Sequence, residues 1–239
     1  MNATSEPRLL PRVMSLAVHE LRTPVTVVSG YLRMLLREQG GPLTDKQRKM
    51  LEEAERSCSR IGALVAEMSE LGKLEGGDLP LSIQDFDLAA VLTDVASDMH
   101  EGDDRGVSVE LRGANQPLVV SGDRTRLAAA LKSLVYAALR EQGEPGVVVV
   151  DCSVMKNDAA RNDGENPDAW AVVAIGVPAL ITPLRDRVGP PRVFDEWIGG
   201  LGMALPVARR VVEAHGGALW SVDGSTSRAA AALRIPLRT

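Results

Sequence analysis

Aromatic residues and cysteines are scarce in this chain. Phe, Trp and Tyr make up 3% of its 239 residues, so a core has to be built from Leu, Val, Ile and Ala. The two cysteines, Cys58 and Cys152, lie far apart; they give no disulfide framework and fit a reducing cytosol. Apolar residues at 45% and charged residues at 25% are typical of a globular protein with one large domain or two small ones.

Long hydrophobic runs and an excess of positive charge are also absent. No apolar run approaches the roughly 18–20 residues that span a bilayer. Residues 1–12 lack the basic-then-apolar order of a signal peptide. The net charge of −5 argues against a nucleic-acid binder with a basic surface. We therefore expect a soluble cytoplasmic protein with neither a membrane nor a nucleic acid among its partners.

Residues 1–75 carry the pattern of a helical hairpin. Gly40 and Gly41 are expected to end the first helix, and Thr44 with Gln47 resembles a capping box that starts the second. The second helix has an apolar stripe from residue 51 to 71 that includes Cys58. The stripe of the first helix has steps of three and four residues. Its members are Leu10, Met14, Ala17, Leu21, Val25, Val28, Leu32 and Leu35.

Two long helices with one apolar stripe each bury both stripes poorly as an isolated hairpin. Pairing with a second copy of the chain would give a four-helix bundle and cover them. The sequence therefore predicts a homodimer, with the hairpin as its dimerisation domain.

His19 is the histidine that this pattern singles out. It lies two positions from both Ala17 and Leu21, so it should point away from the stripe. Pro24, nearby, removes a backbone donor and is expected to kink or loosen the helix. A lone histidine on a helix is commonly a solvated surface residue. Beside Glu20, however, one ring nitrogen can be hydrogen-bonded while the other stays nucleophilic, and the residues alone leave both interpretations open.

Residues 17–35, AVHELRTPVTVVSGYLRML, resemble the phospho-accepting histidine box of two-component sensor histidine kinases. The core of that box is His-Glu-Leu-Arg-Thr-Pro, and residues 19–24 match it at all six positions. The resemblance implies that His19 accepts the phosphoryl group and that Glu20 is the proton acceptor. It implies that Thr23 positions water when a partner's aspartyl phosphate is hydrolysed, and that this partner is the receiver domain of a response regulator.

After a linker at residues 76–86, residues 87–239 alternate helical patterns with β-rich runs. This order predicts an α/β sandwich with helices on one face. It resembles the ATP-binding domain of the same kinases, which has the Bergerat-type fold, and residues 199–217 look like its second glycine box. If a nucleotide binds, the resemblance implies Gly200, Gly202 and Arg140 as its contacts. His215, at the end of the last helical pattern, is expected to be a structural cap.

Two positions depart from that family pattern. Ala137 stands where active members have the asparagine that ligates Mg²⁺, and alanine offers no oxygen. Ile175 or Gly176 stands where an aspartate reads adenine. Phosphoryl transfer from ATP depends on positioning and on charge neutralised by the metal. We therefore expect no metal site, and ATP with Mg²⁺ as weakly bound ligands at most.

Three hypotheses follow from the sequence. The first is a dimeric histidine-kinase-type phosphotransferase or regulator phosphatase with impaired ATP use, which the intact His19, Glu20 and Thr23 favour. The second is an active ATP-dependent histidine kinase, which the retained glycine box supports. The third is a non-catalytic dimerising scaffold. Only 18 residues precede His19, so any stimulus is expected to come from a sensor protein in trans, unless the sequence is a piece of a longer chain.

Overall fold

The chain divides into two compact units, residues 1–79 and 80–239. The computed structural model describes residues 9–77, 80–156, 167–186, 191–198, 201–222 and 227–238. Its helices are α1 (Leu9–Leu36), α2 (Asp45–Gly76), α3 (Leu88–Ser97), α4 (Arg124–Glu141), α5 (Pro178–Arg185) and α6 (Ala204–Ala214). Its strands are β1 (Gln84–Asp87), β2 (Val107–Arg112), β3 (Val119–Gly122), β4 (Gly146–Lys156), β5 (Ala169–Gly176), β6 (Pro191–Val193), β7 (Ala218–Val222) and β8 (Ala231–Pro236). In this described part of the chain, no helix combines the length and the apolar character that crossing a membrane requires.

The turn between α1 and α2 confirms the predicted capping box. The Thr44 hydroxyl accepts a hydrogen bond from the backbone N–H of Gln47 at 3.3 Å, and Gln47 Oε1 accepts one from the Thr44 N–H at 2.9 Å. The predicted glycine stop was wrong, because α1 ends at Leu36, before the two glycines. Arg48 donates to the Leu36 carbonyl at 3.3 Å and pairs with Glu38, whose backbone is left-handed. These bonds fix the turn earlier than the sequence indicates. The helix runs unbroken through the proline at position 24.

The packing of α1 on α2 corrects the predicted stripe. Val18, which the prediction omitted, is 5% exposed, whereas Leu21, Val28 and Leu35 remain 40–50% exposed. The face of α1 that contacts α2 is thus rotated by about one residue, or 100°, at this turn. The reason is that α2 covers one side of α1 only, so a broad apolar stripe is buried in part. Met14, Cys58, Val65 and Leu71 complete the buried seam of the hairpin.

Both cysteines are buried thiols without a disulfide. Cys58 lies in its predicted register, and its sulfur is 3.2 Å from the hydroxyl of Ser29 on α1. Burial raises the pKa of the Cys152 thiol to about 12, and the charges of Asp151 and Asp87 add to that rise. A thiol with so high a pKa stays protonated and is a weak nucleophile.

The described part of the second unit contains a six-stranded sheet in the order β2-β4-β5-β8-β7-β6. Strands β2 and β4 run parallel, and the other neighbours run antiparallel. A separate antiparallel pair joins β1 to β3, although the sequence pattern of residues 85–100 predicts a helix from its first residue. The helix begins later because the Asp87 carboxylate caps it, accepting from the Ala89 N–H at 2.9 Å and from the Leu118 N–H at 2.8 Å. The predicted α/β architecture is confirmed.

Helices cover both faces of the sheet, so the predicted one-sided arrangement was wrong. Val212 of α6 lies on the face that carries Ile235. On the opposite face, Leu184 of α5 packs with Trp170 and Trp220, and the Trp220 indole donates to the Leu184 carbonyl at 3.0 Å. Because β5 is buried along both faces, a second apolar layer had to be covered. The short α5 covers it.

His215 is the structural cap that the sequence predicts. Its ring is buried at the end of α6, where Nδ1 donates to the Val211 carbonyl at 2.6 Å and Nε2 accepts from the Asp123 N–H at 2.9 Å. These two bonds require the neutral tautomer with its proton on Nδ1. A Cβ at Gly122 would lie 2.5 Å from His215 Cδ2, so glycine is needed there for the ring to fit.

Asp123 caps the start of α4 with a buried carboxylate. It accepts hydrogen bonds at 3.1 Å from the backbone N–H groups of Arg126 and Ser82, and it pairs with the Arg126 guanidinium. Burial acts to raise the pKa of this carboxyl. The hydrogen bonds and the positive charge outweigh that effect, so the pKa of Asp123 lies below its usual 3.8.

We expect Asp123→Asn to lower the free energy of unfolding by about 1–2 kcal/mol at pH 7. The NH2 group of the asparagine would face another hydrogen-bond donor, either the Ser82 N–H or the Arg126 guanidinium, so one hydrogen bond would be lost. A folded pKa below the unfolded one gives stability that is present above the unfolded pKa and is lost as the pH falls through the folded pKa. The gap between wild type and variant should therefore shrink between about pH 4 and pH 2. Urea unfolding across this range measures it.

Asp104→Asn is the matched control, because that carboxyl is exposed. It should leave the unfolding free energy within about 0.5 kcal/mol of wild type at every pH. If Asp123→Asn lowers the free energy of unfolding by the same amount at pH 7 and in acid, the role assigned to the Asp123 charge is wrong.

Candidate functional site

The imidazole of His19 stands on the solvent-facing side of α1. Its side chain is 82% exposed and that of Glu20 is 71% exposed. Since α1 buries Val18 against α2, the next residue is turned about 100° away from that contact. Thr23, one helical turn further on, is exposed as well. The structure thus places the three predicted phosphotransfer residues on the accessible part of one helix.

Glu20 engages one nitrogen of the His19 ring. Nδ1 lies 3.2 Å from Glu20 Oε1, a distance at which the carboxylate favours the tautomer that carries the proton on Nδ1. Nε2 makes no hydrogen bond with the described residues. The nitrogen with the available lone pair is therefore the one that an incoming electrophile can reach.

A groove of about 160 Å³ between α1 and α2 begins one turn beyond His19. It is lined by residues of both helices, among them Arg22, Thr26 and Gly62. The Thr26 hydroxyl donates to the Arg22 carbonyl at 2.8 Å, and Pro24 offers no N–H to the Glu20 carbonyl. Gly62 has no side chain to occupy the groove. A Cβ at this position would lie in contact with Val25, at 3.8 Å.

The second unit holds the positions predicted to contact a nucleotide. Ala137 in α4 and Ile175 at the end of β5 are both buried apolar side chains. Gly202 has a left-handed backbone with φ of 65° shortly before α6. Arg140 is exposed and stacks over a tyrosine ring at 6.0 Å. The predicted contact Gly200 lies outside the described residues.

Ala137 and Ile175 do not fit a magnesium–nucleotide complex. Mg²⁺ requires oxygen ligands, which Ala137 does not supply, and Ile175 has no acceptor for an adenine amino group. Ser133, one turn before Ala137 on α4, donates its hydroxyl to the Ala129 carbonyl at 2.9 Å within its own helix. Across the residues that the structure describes, no group of three His, Cys, Asp or Glu side chains is placed to hold a metal ion.

Sequence reasoning missed Glu141, the last residue of α4. Its carboxylate accepts hydrogen bonds from the Ser227 hydroxyl and from the backbone N–H groups of Arg228 and Ala229, 86–88 residues away along the chain. No local pattern in the sequence could have indicated this contact, since the partners meet only through the fold.

Comparison with known proteins places the first unit in a family. Residues 12–77 match the His Kinase A (phospho-acceptor) domain. The signal transduction histidine-protein kinase BarA of Escherichia coli K12 is 29% identical over 209 residues, which cover 83% of this chain and 22% of BarA. The circadian input-output histidine kinase CikA of Synechococcus elongatus is 25% identical over 209 residues, or 83% of this chain and 26% of CikA. The first unit carries a His Kinase A domain, and the chain is similar to histidine kinases.

The chain spans about a quarter of the length of BarA and CikA. Among solved structures, full-length ShkA in complex with AMPPNP covers 96% of this chain with a TM-score of 0.69 and 23% identity, over 46% of ShkA. The Acinetobacter baumannii histidine kinase AdeS covers 92% with a TM-score of 0.56 and 21% identity, over 98% of AdeS. At these identities the two structures establish only the fold of this chain: two long helices, then an α/β sheet domain.

Two adjacent substitutions test the orientation of α1. We expect His19→Ala to leave the free energy of unfolding within about 0.5 kcal/mol of wild type, because its ring is exposed. Val18→Ala should lower it by about 2 kcal/mol, because it removes buried methyl groups from the α1–α2 contact. Urea unfolding followed by helical circular dichroism measures both. The orientation is wrong if the two variants lose the same stability.

Proposed function

We propose that this histidine-kinase-family protein carries a phosphoryl group on His19 and exchanges it with an aspartate of a response regulator. It acts as a phosphotransferase or as a regulator phosphatase, with impaired use of ATP. The supporting observation is the exposed His19 ring, whose Nδ1 lies 3.2 Å from Glu20 Oε1. That arrangement prepares Nε2 as a nucleophile.

In the transfer step, the Nε2 lone pair attacks the phosphorus of the regulator's aspartyl phosphate. The N–P bond forms as the bond between phosphorus and the aspartate oxygen breaks, and the regulator's carboxylate leaves. The proton stays on Nδ1, where Glu20 accepts its hydrogen bond and stabilises the imidazolium that forms. Transfer back to the regulator reverses these steps with Mg²⁺ bound on the regulator. In hydrolysis, Thr23 orients the water that attacks the aspartyl phosphate.

Dimerisation is the second part of the proposal. Leu21, Val28 and Leu35 form a row on α1 that α2 leaves 40–50% exposed. A second copy of the hairpin would cover this row and complete a four-helix bundle. The row is separate from Val18, so the bundle leaves the buried seam of each hairpin intact.

The impaired use of ATP rests on the buried side chains in the second unit. Ala137 and Ile175 supply no oxygen to a metal or to an adenine amino group, so no step is assigned to ATP. Since the chain spans only part of its relatives' length, we propose that its stimulus reaches it from a sensor, in trans or in a longer chain.

A labelling experiment with two phosphate donors tests this function. The protein is incubated with Mg²⁺ and γ-labelled ATP, and separately with labelled phospho-receiver domains. We expect acid-labile, base-stable label from a receiver domain and none from ATP. His19→Ala should abolish the label, because it removes the nucleophile. His100→Ala, which replaces another exposed histidine, should transfer as wild type does.

Other results would select the other hypotheses. Label from ATP that depends on His19 would make the protein a histidine kinase and contradict the role given to Ala137 and Ile175. No label from either donor, in a folded protein, would favour a dimerising scaffold.

Thr23→Ala separates phosphatase activity from transfer. We expect it to slow the hydrolysis of the regulator's aspartyl phosphate by about 10- to 100-fold while transfer to His19 changes little, because Thr23 acts on water and not on the histidine. Release of labelled phosphate and label on His19 are followed in one reaction. Thr26→Ala is the control, since that hydroxyl is bonded to the Arg22 carbonyl. Equal losses of both activities in Thr23→Ala would contradict its role.

A further inference from the structure

The carboxylate of Glu141 lies among three hydrogen-bond donors from consecutive residues. Oε1 accepts from the Arg228 N–H at 2.6 Å. Oε2 accepts from the Ala229 N–H at 2.8 Å and from the Ser227 hydroxyl at 2.5 Å. The donors belong to the segment that leads into β8, whereas Glu141 ends α4. A single anionic group thus satisfies a set of donors that all point at it.

Such a set is chemically an anion site. Successive backbone N–H groups with a nearby hydroxyl form concavities that bind phosphate and carboxylate oxygens. The guanidinium of Arg228 adds positive charge, and its charge interacts with that of Glu141. Asp195 holds this guanidinium through bonds of 2.5 Å and 3.2 Å, so the segment is fixed on two sides.

An open space adjoins the carboxylate. A cavity of about 200 Å³ is lined by Glu141 and Ser227 together with residues of α4, β4 and the end of β5: Ala138, Gln142, Val148, Gly176 and Val177. Pockets for whole cofactors are usually larger, roughly 300–1,000 Å³. A single phosphate group suits this volume. Gly176 at its wall is one of the two positions where the family pattern expects the adenine-reading aspartate.

We propose that the Ser227 hydroxyl and the N–H groups of Arg228 and Ala229 form a phosphate site, which the Glu141 carboxylate fills as an internal ligand. Because Glu141 is tethered to α4, its effective concentration at the donors is high, and an external anion competes poorly. Removal of the carboxylate leaves the Arg228 and Ala229 N–H groups available to a phosphate dianion. The site belongs to the second unit, whereas His19 belongs to the first, and the proposed phosphotransfer does not require it.

The test is phosphate binding by the full chain before and after removal of the carboxylate. Inorganic phosphate is titrated into wild type, Glu141→Ala and the control Glu144→Ala, which removes an exposed charge three residues away. Backbone amide shifts of Arg228 and Ala229 report on the site itself. We expect Glu141→Ala to bind phosphate about tenfold more tightly than wild type or more, with shifts at both amides, and Glu144→Ala to match wild type.

Equal phosphate binding by wild type and folded Glu141→Ala, or a gain that Glu144→Ala reproduces, would overturn the proposal. If Glu141→Ala does not fold, Glu141→Gln decides, because the amide keeps one acceptor but lacks the charge. It should gain phosphate affinity in the same direction, and no gain would overturn the proposal. Label transfer to His19 is measured on the same variants. If wild type does not transfer label to His19, the proposed function is refuted and this site is unaffected. If Glu141→Ala binds phosphate no more tightly than wild type, this site is refuted and the proposed function is unaffected.

Discussion

The contact of α1 with α2 through Val18 decides the geometry of the histidine site. Once Val18 is buried, the 100° step of the helix sends His19 outward, and the 3.6-residue period brings Thr23 to the same accessible side. The ring then needs only a neighbour to fix its tautomer, and Glu20 supplies it at 3.2 Å. The His19 site thus lies on the surface, but the burial of Val18 against α2 determines its orientation. The apolar seam holds the backbone still, so that two exposed side chains meet without support from further residues.

Helix α4 gives the second unit a comparable fixed element, held at both ends by carboxylates. At its start, Asp123 binds the Ser82 and Arg126 backbone and donates its own N–H to His215. At its end, Glu141 binds the segment before β8. Between them, Ala137 faces the core. A helix that is anchored at both ends and apolar at the position expected to bind a metal has the character of a packing element. The carboxylates at its two ends are committed to contacts within the fold.

The parts of the structure that the sequence predicts well are set by neighbours along the chain. The Thr44–Gln47 capping box and the start of α2 depend on residues within one turn. The errors arose where a distant partner decides. Val18 is buried because α2 lies beside it, and β1 replaces a helix because residues 84–87 pair with residues 119–122. The short α5 exists because β5 is apolar on both faces. The role of Glu141 could not be predicted either, because its partners lie more than 80 residues away along the chain.

The two units differ in whether their functional groups are adjacent in sequence or are brought together by the fold. A phosphoryl group that arrives on a regulator's aspartate is already activated, and it comes with the regulator's own metal. In the proposed transfer to His19, this chain supplies a nucleophile and a carboxylate that are adjacent in sequence. Use of ATP requires oxygen ligands for the metal ion, and the fold of the whole second unit must hold them in place. Under the proposed function, alanine at position 137 removes the use of ATP without disturbing transfer to His19. A kinase-shaped chain can therefore lose its nucleotide chemistry and keep an intact phosphoacceptor, provided that the seam of its hairpin is preserved.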